Sequence, residues 1–235
     1  MKIIFQYIAF ILICVAGVSC KKDNYDEPSS RLTGRIVYQG VAIGVENYQV
    51  PYELYQFGFG KVGPIGSSFG QDGTFSALLF DGEYKLIVPN GQGPFLWKKT
   101  AGGAPDTITI SLKGNQNMDI DVMPYYMIRN AQLTGGAGQV KAAFKVEKII
   151  TDANARDIEN VTLFINKTQF VSRADNENIA TAGIDGPAIV DPNNISLTVT
   201  VPGMTPAQNY VFARIGVKIA GVEDRLYSPV QKITF

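Results

Sequence analysis

Gly66-Ser67-Ser68-Phe69-Gly70 fits the G-x-S-x-G pattern, in which a serine on a strand-to-helix turn becomes an acyl-transfer nucleophile. That chemistry needs a base to accept the serine proton, and the 235 residues include no histidine. Gly58-Phe59-Gly60-Lys61-Val62-Gly63 likewise fits G-x-G-x-x-G. A pyrophosphate cradle requires a helix N-terminus immediately afterwards, whereas Pro64 and Gly66 follow here. Both patterns are therefore read as loop. The missing histidine also removes the commonest metal ligand and the side chain that titrates nearest neutrality, which excludes many hydrolytic and zinc-dependent mechanisms. Acid-only catalysis, as in glycosidases, stays open because it needs just two carboxylates at a suitable separation. The expectation is a protein that is not an enzyme, with no cofactor and no metal. Asp152-Ala153-Asn154-Ala155-Arg156-Asp157 and Asp175-Asn176-Glu177-Asn178 offer oxygen ligands, but neither has the twelve-residue calcium-loop pattern, and both read as solvated turns.

Binding is a better prospect than catalysis. The connection from Phe57 to Gln71 carries five glycines together with Phe57, Phe59 and Phe69, an apolar content at odds with full solvation. The sole tryptophan, Trp97, follows a second loop, Asn90-Gly91-Gln92-Gly93-Pro94. Flat aromatic faces receive the C–H groups of sugar rings, so Phe59, Phe69 and Trp97 are candidate ligand-binding residues. The alternative is that these rings close the core beneath long loops or pack between domains. The charge is balanced at 21 basic and 21 acidic residues, which lacks the basic footprint of a nucleic-acid partner.

The elements that must position these residues are strands. With 24 Gly and 12 Pro and no sustained 3.6-residue period, the chain reads as all-β. Strands are predicted at Thr33 to Tyr38, Val50 to Phe57, Thr74 to Phe80, Glu83 to Val88, Thr107 to Leu112 and Met118 to Val122. Asp72-Gly73 and Asp81-Gly82 are turn signals, and the second predicts an antiparallel hairpin between Thr74 to Phe80 and Glu83 to Val88. A second unit begins after Pro124, with strands at Met127 to Leu133, Val140 to Ile150, Val161 to Asn166, Ile195 to Val201, Tyr210 to Ile219 and Leu226 to Phe235. Two tandem β-sandwiches are the expected architecture, at 31–124 and 125–235.

The N-terminus supplies an address. Lys2, the apolar run from Ile3 to Val15 and the small residues Gly17-Val18-Ser19 have the three parts of a secretory signal, too short to span a bilayer and followed at once by Lys21-Lys22-Asp23. The segment before Cys20 resembles a bacterial lipobox, although Gly17 stands where leucine is usual. The resemblance implies that residues 1–19 are removed and that Cys20 becomes a lipidated anchor in a membrane. An uncleaved anchor or a plain secretory signal is the alternative. Residues 20–30 are polar and aperiodic and read as a flexible tether. Their charges are similar to the export signal that brings Bacteroidetes lipoproteins to the outer face of the outer membrane.

Leu32-Thr33-Gly34-Arg35-Ile36, Gln71-Asp72-Gly73-Thr74-Phe75 and Phe80-Asp81-Gly82-Glu83-Tyr84-Lys85-Leu86 resemble the carboxypeptidase regulatory-like domain, a transthyretin-like sandwich. Met204-Thr205-Pro206-Ala207-Gln208-Asn209-Tyr210 resembles the tyrosine corner of fibronectin type III domains, and Tyr227-Ser228-Pro229-Val230 their last strand. Phe212 and Arg214 fall where that family buries residues, while Val211, Ala213, Ile215, Val217 and Ile219 form the unbroken apolar face, so either a bulge shifts the phase or the corner analogy fails. Together, behind a lipobox, the two units resemble a Bacteroidetes surface-lipoprotein family with a domain of unknown function, often encoded beside SusC/SusD-like glycan importers. Asp106-Thr107-Ile108 is similar to the O-glycosylation motif of exported Bacteroidetes proteins, which marks Thr107. The resemblance implies a surface accessory of polysaccharide capture that binds glycan, or else an adaptor for a transporter or partner lipoprotein that touches no sugar.

Overall fold

Residues 26–58 and 62–235 are described, from a computed structural model. The predicted signal peptide, Cys20, the tether to residue 25 and Phe59 fall outside the described residues. Apart from one short 3-10 turn at Gly186–Ala188, every regular element among them is a strand.

The first unit is built on β1 (Ser30–Tyr38), whose side chains alternate between core and solvent, with Leu32 and Ile36 fully buried and Arg31 and Arg35 exposed. The strands that follow are β2 (Val41–Ala42), β3 (Pro51–Gln56), β4 (Pro64–Ser68), β5 (Thr74–Leu79), β6 (Gly82–Ile87), β7 (Phe95–Leu96), β8 (Ile108–Leu112), β9 (Gln116–Asn117), β10 (Ile120–Asp121) and β11 (Met123–Pro124). β2, β5, β9 and β10 all pair with β1, and β4-β3-β6-β8 form the opposing sheet. Leu32, Ile36, Phe75 and Leu79 meet Tyr52, Leu54, Tyr84, Leu86, Ile110 and Leu112 between the layers. Each such burial contributes roughly 1.5–3 kcal/mol relative to exposure. Gly34 is where the backbones come closest: a Cβ there would lie 1.7 Å from the Met118 carbonyl oxygen.

The predicted hairpin at Asp81-Gly82 does not form. β5 pairs with β1, whereas β6 pairs with β3 and β8, so the chain crosses from one sheet to the other at that turn. Gly82 sits at φ +152° and lets the backbone swing across rather than fold back. The turn signal is real, but Phe75 and Leu79 on one strand and Tyr84 and Leu86 on the next fill the core from opposite sides, which requires two layers. β4 has no counterpart among the predicted strands, since Pro64-Ile65-Gly66-Ser67-Ser68 is a poor strand former held by its ladder to β3.

The second unit contains β12 (Tyr126–Gly136), β13 (Gln139–Lys148), β14 (Ile158–Asn166), β15 (Ala180–Asp185), β16 (Ile195–Thr200), β17 (Tyr210–Ile219), β18 (Leu226–Tyr227) and β19 (Gln231–Thr234). A sheet of order β12-β13-β16 faces one of order β15-β14-β17, with β18 and β19 both paired to β17. Val211, Ala213, Ile215, Val217 and Ile219 line the core, as their alternation predicts. β17 pairs with β14 in continuous register from Asn160 to Asn166, so no bulge shifts the phase near Tyr210. The tyrosine corner is not made: the Tyr210 hydroxyl has no hydrogen-bond partner among the described residues, and its ring instead lies under Lys232 Nζ at 3.8 Å.

The other side of β17 explains why Arg214 interrupts an apolar pattern. The first unit docks on that face, and Tyr227 N–H donates to the Gly44 carbonyl at 2.9 Å across the seam. A Cβ on Gly44 would stand 2.5 Å from the Tyr227 carbonyl oxygen, so only glycine permits this approach. Gln71 Nε2 donates to the Gln169 carbonyl at 3.0 Å, and Gly93 N–H donates to Asp224 Oδ2 at 2.7 Å.

Candidate functional site

Two of the three candidate aromatics are structural. Phe69 is fully buried, 5.0 Å from the Tyr52 ring and 6.0 Å from Phe75, so it closes the sandwich core and offers no face to a ligand. Trp97 is 8% exposed and its Nε1 donates to the Asp106 carbonyl at 2.8 Å, which pins the ring against the loop and leaves only an edge at a crevice of about 90 Å³. Phe59 lies outside the described residues. Loop position and exposure have come apart: glycines around Phe69 let the chain fold inward and bury the ring. Thr107 is exposed, beside the same crevice. Ser68 ends the extended β4 with no helix after it, which removes the nucleophile-elbow geometry. No group of three or more acidic or cysteine side chains suited to a metal occurs among the described residues.

A groove of about 570 Å³ lies on the first unit. Its floor is the outward face of β1 and β5, where Thr33 stands opposite Ser76 and Arg35 opposite Thr74. Ser67 and Ser68 at the end of β4 form one wall, and Asn117 of β9 lies at the far side. Tyr48 lies at the rim, 68% exposed. Its backbone has φ +55°, a left-handed conformation unusual for tyrosine, held by an N–H donated to the Phe69 carbonyl at 3.0 Å. The burial of Phe69 is thus what presents Tyr48 to solvent.

The polar floor is ordered in advance. Asn117 Nδ2 donates to Thr33 Oγ1 at 3.0 Å, and Arg35 Nη2 pairs with Asp119 at 2.8 Å. That pair raises the arginine and holds the Asp119 carboxyl below the usual range, chiefly through the hydrogen bond between them. Asp72 Oδ1 accepts from the Thr74 hydroxyl at 2.6 Å and from its N–H at 3.2 Å. An exposed ring above fixed hydroxyl, amide and guanidinium groups suits a ligand with apolar C–H faces and many hydroxyls. The sequence marks none of these residues as a binding site, although Thr33, Arg35, Asp72 and Thr74 belong to the motifs that indicate the fold. The signal for Tyr48 is a lone aromatic in the polar turn Glu46-Asn47-Tyr48-Gln49, while Thr33 and Arg35 are the solvent-side positions of an alternating strand.

The seam between the units is held by an unusual cation. Arg214 is fully buried; its Nε donates to the Val171 carbonyl and its Nη1 to the carbonyls of Val45 at 3.1 Å and Gln71 at 3.3 Å. Its guanidinium carbon lies 3.8 Å from the centre of the Tyr227 ring. Burial pulls its pKa down to about 10. Burial likewise pushes the Tyr227 hydroxyl well up, with the Glu46 carboxylate adding to the effect. The Tyr227 hydroxyl donates to Glu46 Oε2 at 3.3 Å and accepts from Arg173 N–H at 3.2 Å. These contacts fix the loop carrying Tyr48 against the second unit.

Fold and site together define an all-β protein of two β-sandwiches. Residues 30–123 match the protein of unknown function (DUF3823) N-terminal domain, and residues 126–232 match the domain of unknown function DUF3823_C. The chain belongs to the DUF3823 family. A crystal structure of a DUF3823 family protein from Parabacteroides merdae is 36% identical, with 89% of this chain and 100% of that one covered and a TM-score of 0.75. One from Bacteroides ovatus is 28% identical over 88% and 99% of the two chains, also at 0.75. A protein from Bacteroides uniformis described as a "putative carbohydrate binding protein" shares the fold at 17% identity, over 88% and 100% of the chains, with a TM-score of 0.65. No curated protein matches the chain.

Proposed function

We propose that this protein is a lipid-anchored, non-catalytic accessory of polysaccharide capture at the bacterial cell surface, and that it binds glycan in the Tyr48 groove. The observation that carries the reading is the exposed Tyr48 ring, held in a left-handed turn above a polar groove of about 570 Å³. The carbohydrate-binding description of the distant Bacteroides uniformis neighbour supports it, as does the resemblance of the N-terminus to a lipobox. A sugar ring stacked on Tyr48 would leave its hydroxyls to Ser67, Ser68, Thr33 and Asn117. Isothermal titration against a panel of neutral and acidic oligosaccharides tests this. The expected result is binding that Tyr48→Ala weakens about tenfold, or ~1.4 kcal/mol, with no change in melting temperature. A negative result across the panel removes the reading. In cells, Cys20→Ser is expected to release the protein from membranes, and a variant still wholly membrane-bound removes the anchor.

A second reading, an adaptor for a SusC/SusD-like transporter or a partner lipoprotein, is favoured by Phe57 and Ile65, which are 51% and 42% exposed where β3 and β4 approach their connecting turn. Recovery of one defined partner from solubilised outer membranes, lost in a Phe57→Ser variant and independent of added sugar, would favour it.

A further inference from the structure

We propose that the second sandwich carries its own binding groove, which takes a saccharide bearing an isolated carboxylate, with Arg225 and Arg173 as the contacts to that charge. The saccharide part rests on the glycan reading above; the charge preference and the site are additional to it. The groove, about 510 Å³, lies on the outward face of β14 and β15, beside the part of that sheet that the first unit covers. Thr162 and Phe164 line it, and their cross-strand partners on β17 are Gly216 and the seam residue Arg214.

Neither of its cations has a carboxylate partner among the described residues. The ion pairs among the described residues are Arg35 with Asp119, Arg129 with Glu147 and Lys148 with Asp157, so no carboxylate comes within 4.0 Å of either Arg225 or Arg173. Arg225 is half-buried all the same. Its Nη1 donates to Asn160 Oδ1 at 2.8 Å and its guanidinium carbon stands 5.9 Å from the Phe164 ring, which fixes the fork, while its buried Nε has no acceptor among the described residues. Removing a cation from water without a counter-charge is unfavourable, and a guanidinium in a fixed plane is matched to a carboxylate. Arg173 is exposed, but its backbone is pinned by the Tyr227 hydroxyl, and Asn178 Nδ2 ties the same loop through the carbonyls of Ser172 and Ala174 at 3.0 and 2.9 Å.

Asp175 and Asp185 line the same groove and make no ion pair. They are acceptors for hydroxyls, and they disfavour a densely anionic chain such as a sulfated polymer. A glycan with an occasional uronic acid satisfies both sets of groups.

The test is titration of the full chain with glucuronosyl-xylotriose and with the same oligosaccharide after reduction of its carboxyl group. The expected result is that reduction weakens binding at least tenfold. Arg225→Gln and Arg173→Ala should each erase that difference, whereas Tyr48→Ala leaves it unchanged. Arg173 is exposed, so its alanine variant keeps the test decisive if Arg225→Gln melts early. Equal affinity for the acidic and reduced forms overturns the proposal, as does wild-type binding by both arginine variants. Failure of both probes while neutral oligosaccharides still bind through Tyr48 overturns this inference alone; failure of every saccharide overturns it together with the glycan reading.

Discussion

Replacing Arg214 by methionine removes a buried charge while nearly keeping its volume, and the outcome turns on which of three energies dominates. The downward pull from 12.5 to about 10 means that burying this cation costs about 3 kcal/mol, at 1.36 kcal/mol per pKa unit. The substitution relieves that cost. Against it, the carbonyls of Val45 and Val171 lose the donor they share, and a buried acceptor left unmade costs about 1–3 kcal/mol. The Gln71 carbonyl loses less, because Val45 N–H also donates to it at 3.2 Å. The stacking on Tyr227, desolvated and at 3.8 Å, accounts for about 2 kcal/mol more. Arg214→Met is therefore expected to destabilise the protein by about 3 kcal/mol net. Each acceptor belongs either to the first unit or to the loop after β14, so the loss should fall on the seam. Urea denaturation followed by Trp97 fluorescence for the first unit and by far-ultraviolet circular dichroism for the whole measures it. The expected signature is a lower midpoint with the two probes no longer coincident. A variant as stable as the wild type, still unfolding in a single transition, would show that the guanidinium merely tolerates its position.

Two further expectations follow from the same geometry. Gly34→Ala places a methyl group 1.7 Å from the Met118 carbonyl oxygen, so β1 and the segment before β10 must part. A loss of about 3 kcal/mol in a thermal or urea melt is expected, and a loss below about 1 kcal/mol would mean that the strands yield easily. Burial raises the Asp224 carboxyl above its ordinary value, so the folded protein holds that proton more tightly than the unfolded chain does, and stability falls as pH rises from about 4 through the folded value. Asp224→Asn keeps an acceptor for Gly93 N–H and is expected to abolish that slope and to match or exceed wild-type stability at pH 7. Melting temperatures between pH 4 and 8 decide this, and a less stable asparagine variant at pH 7 would refute the sign.

The sequence by itself determined that the chain is β throughout and where most strands run, because alternation with period two is a local property of the backbone. Tyr210 to Ile219 is a strand over the same ten residues that its pattern marks, and Val211, Ala213, Ile215, Val217 and Ile219 face the core they predict. Alternation says which side chains share a face, not what covers the other one. Arg214 reads as a solvent position and is fully buried, because the first unit supplies two carbonyls, the loop after β14 a third and Tyr227 a ring. The same limit governs the site. Phe69 and Tyr48 both sit in glycine-flanked or polar connections, and only the packing of Tyr52 and Phe75 turns one inward and leaves the other at the rim of a groove. Whether β5 and β6 make one hairpin or two layers was likewise decided by partners remote in sequence, β1 and β3, since a turn signal specifies a change of direction while long-range burial selects the sheet that each strand joins.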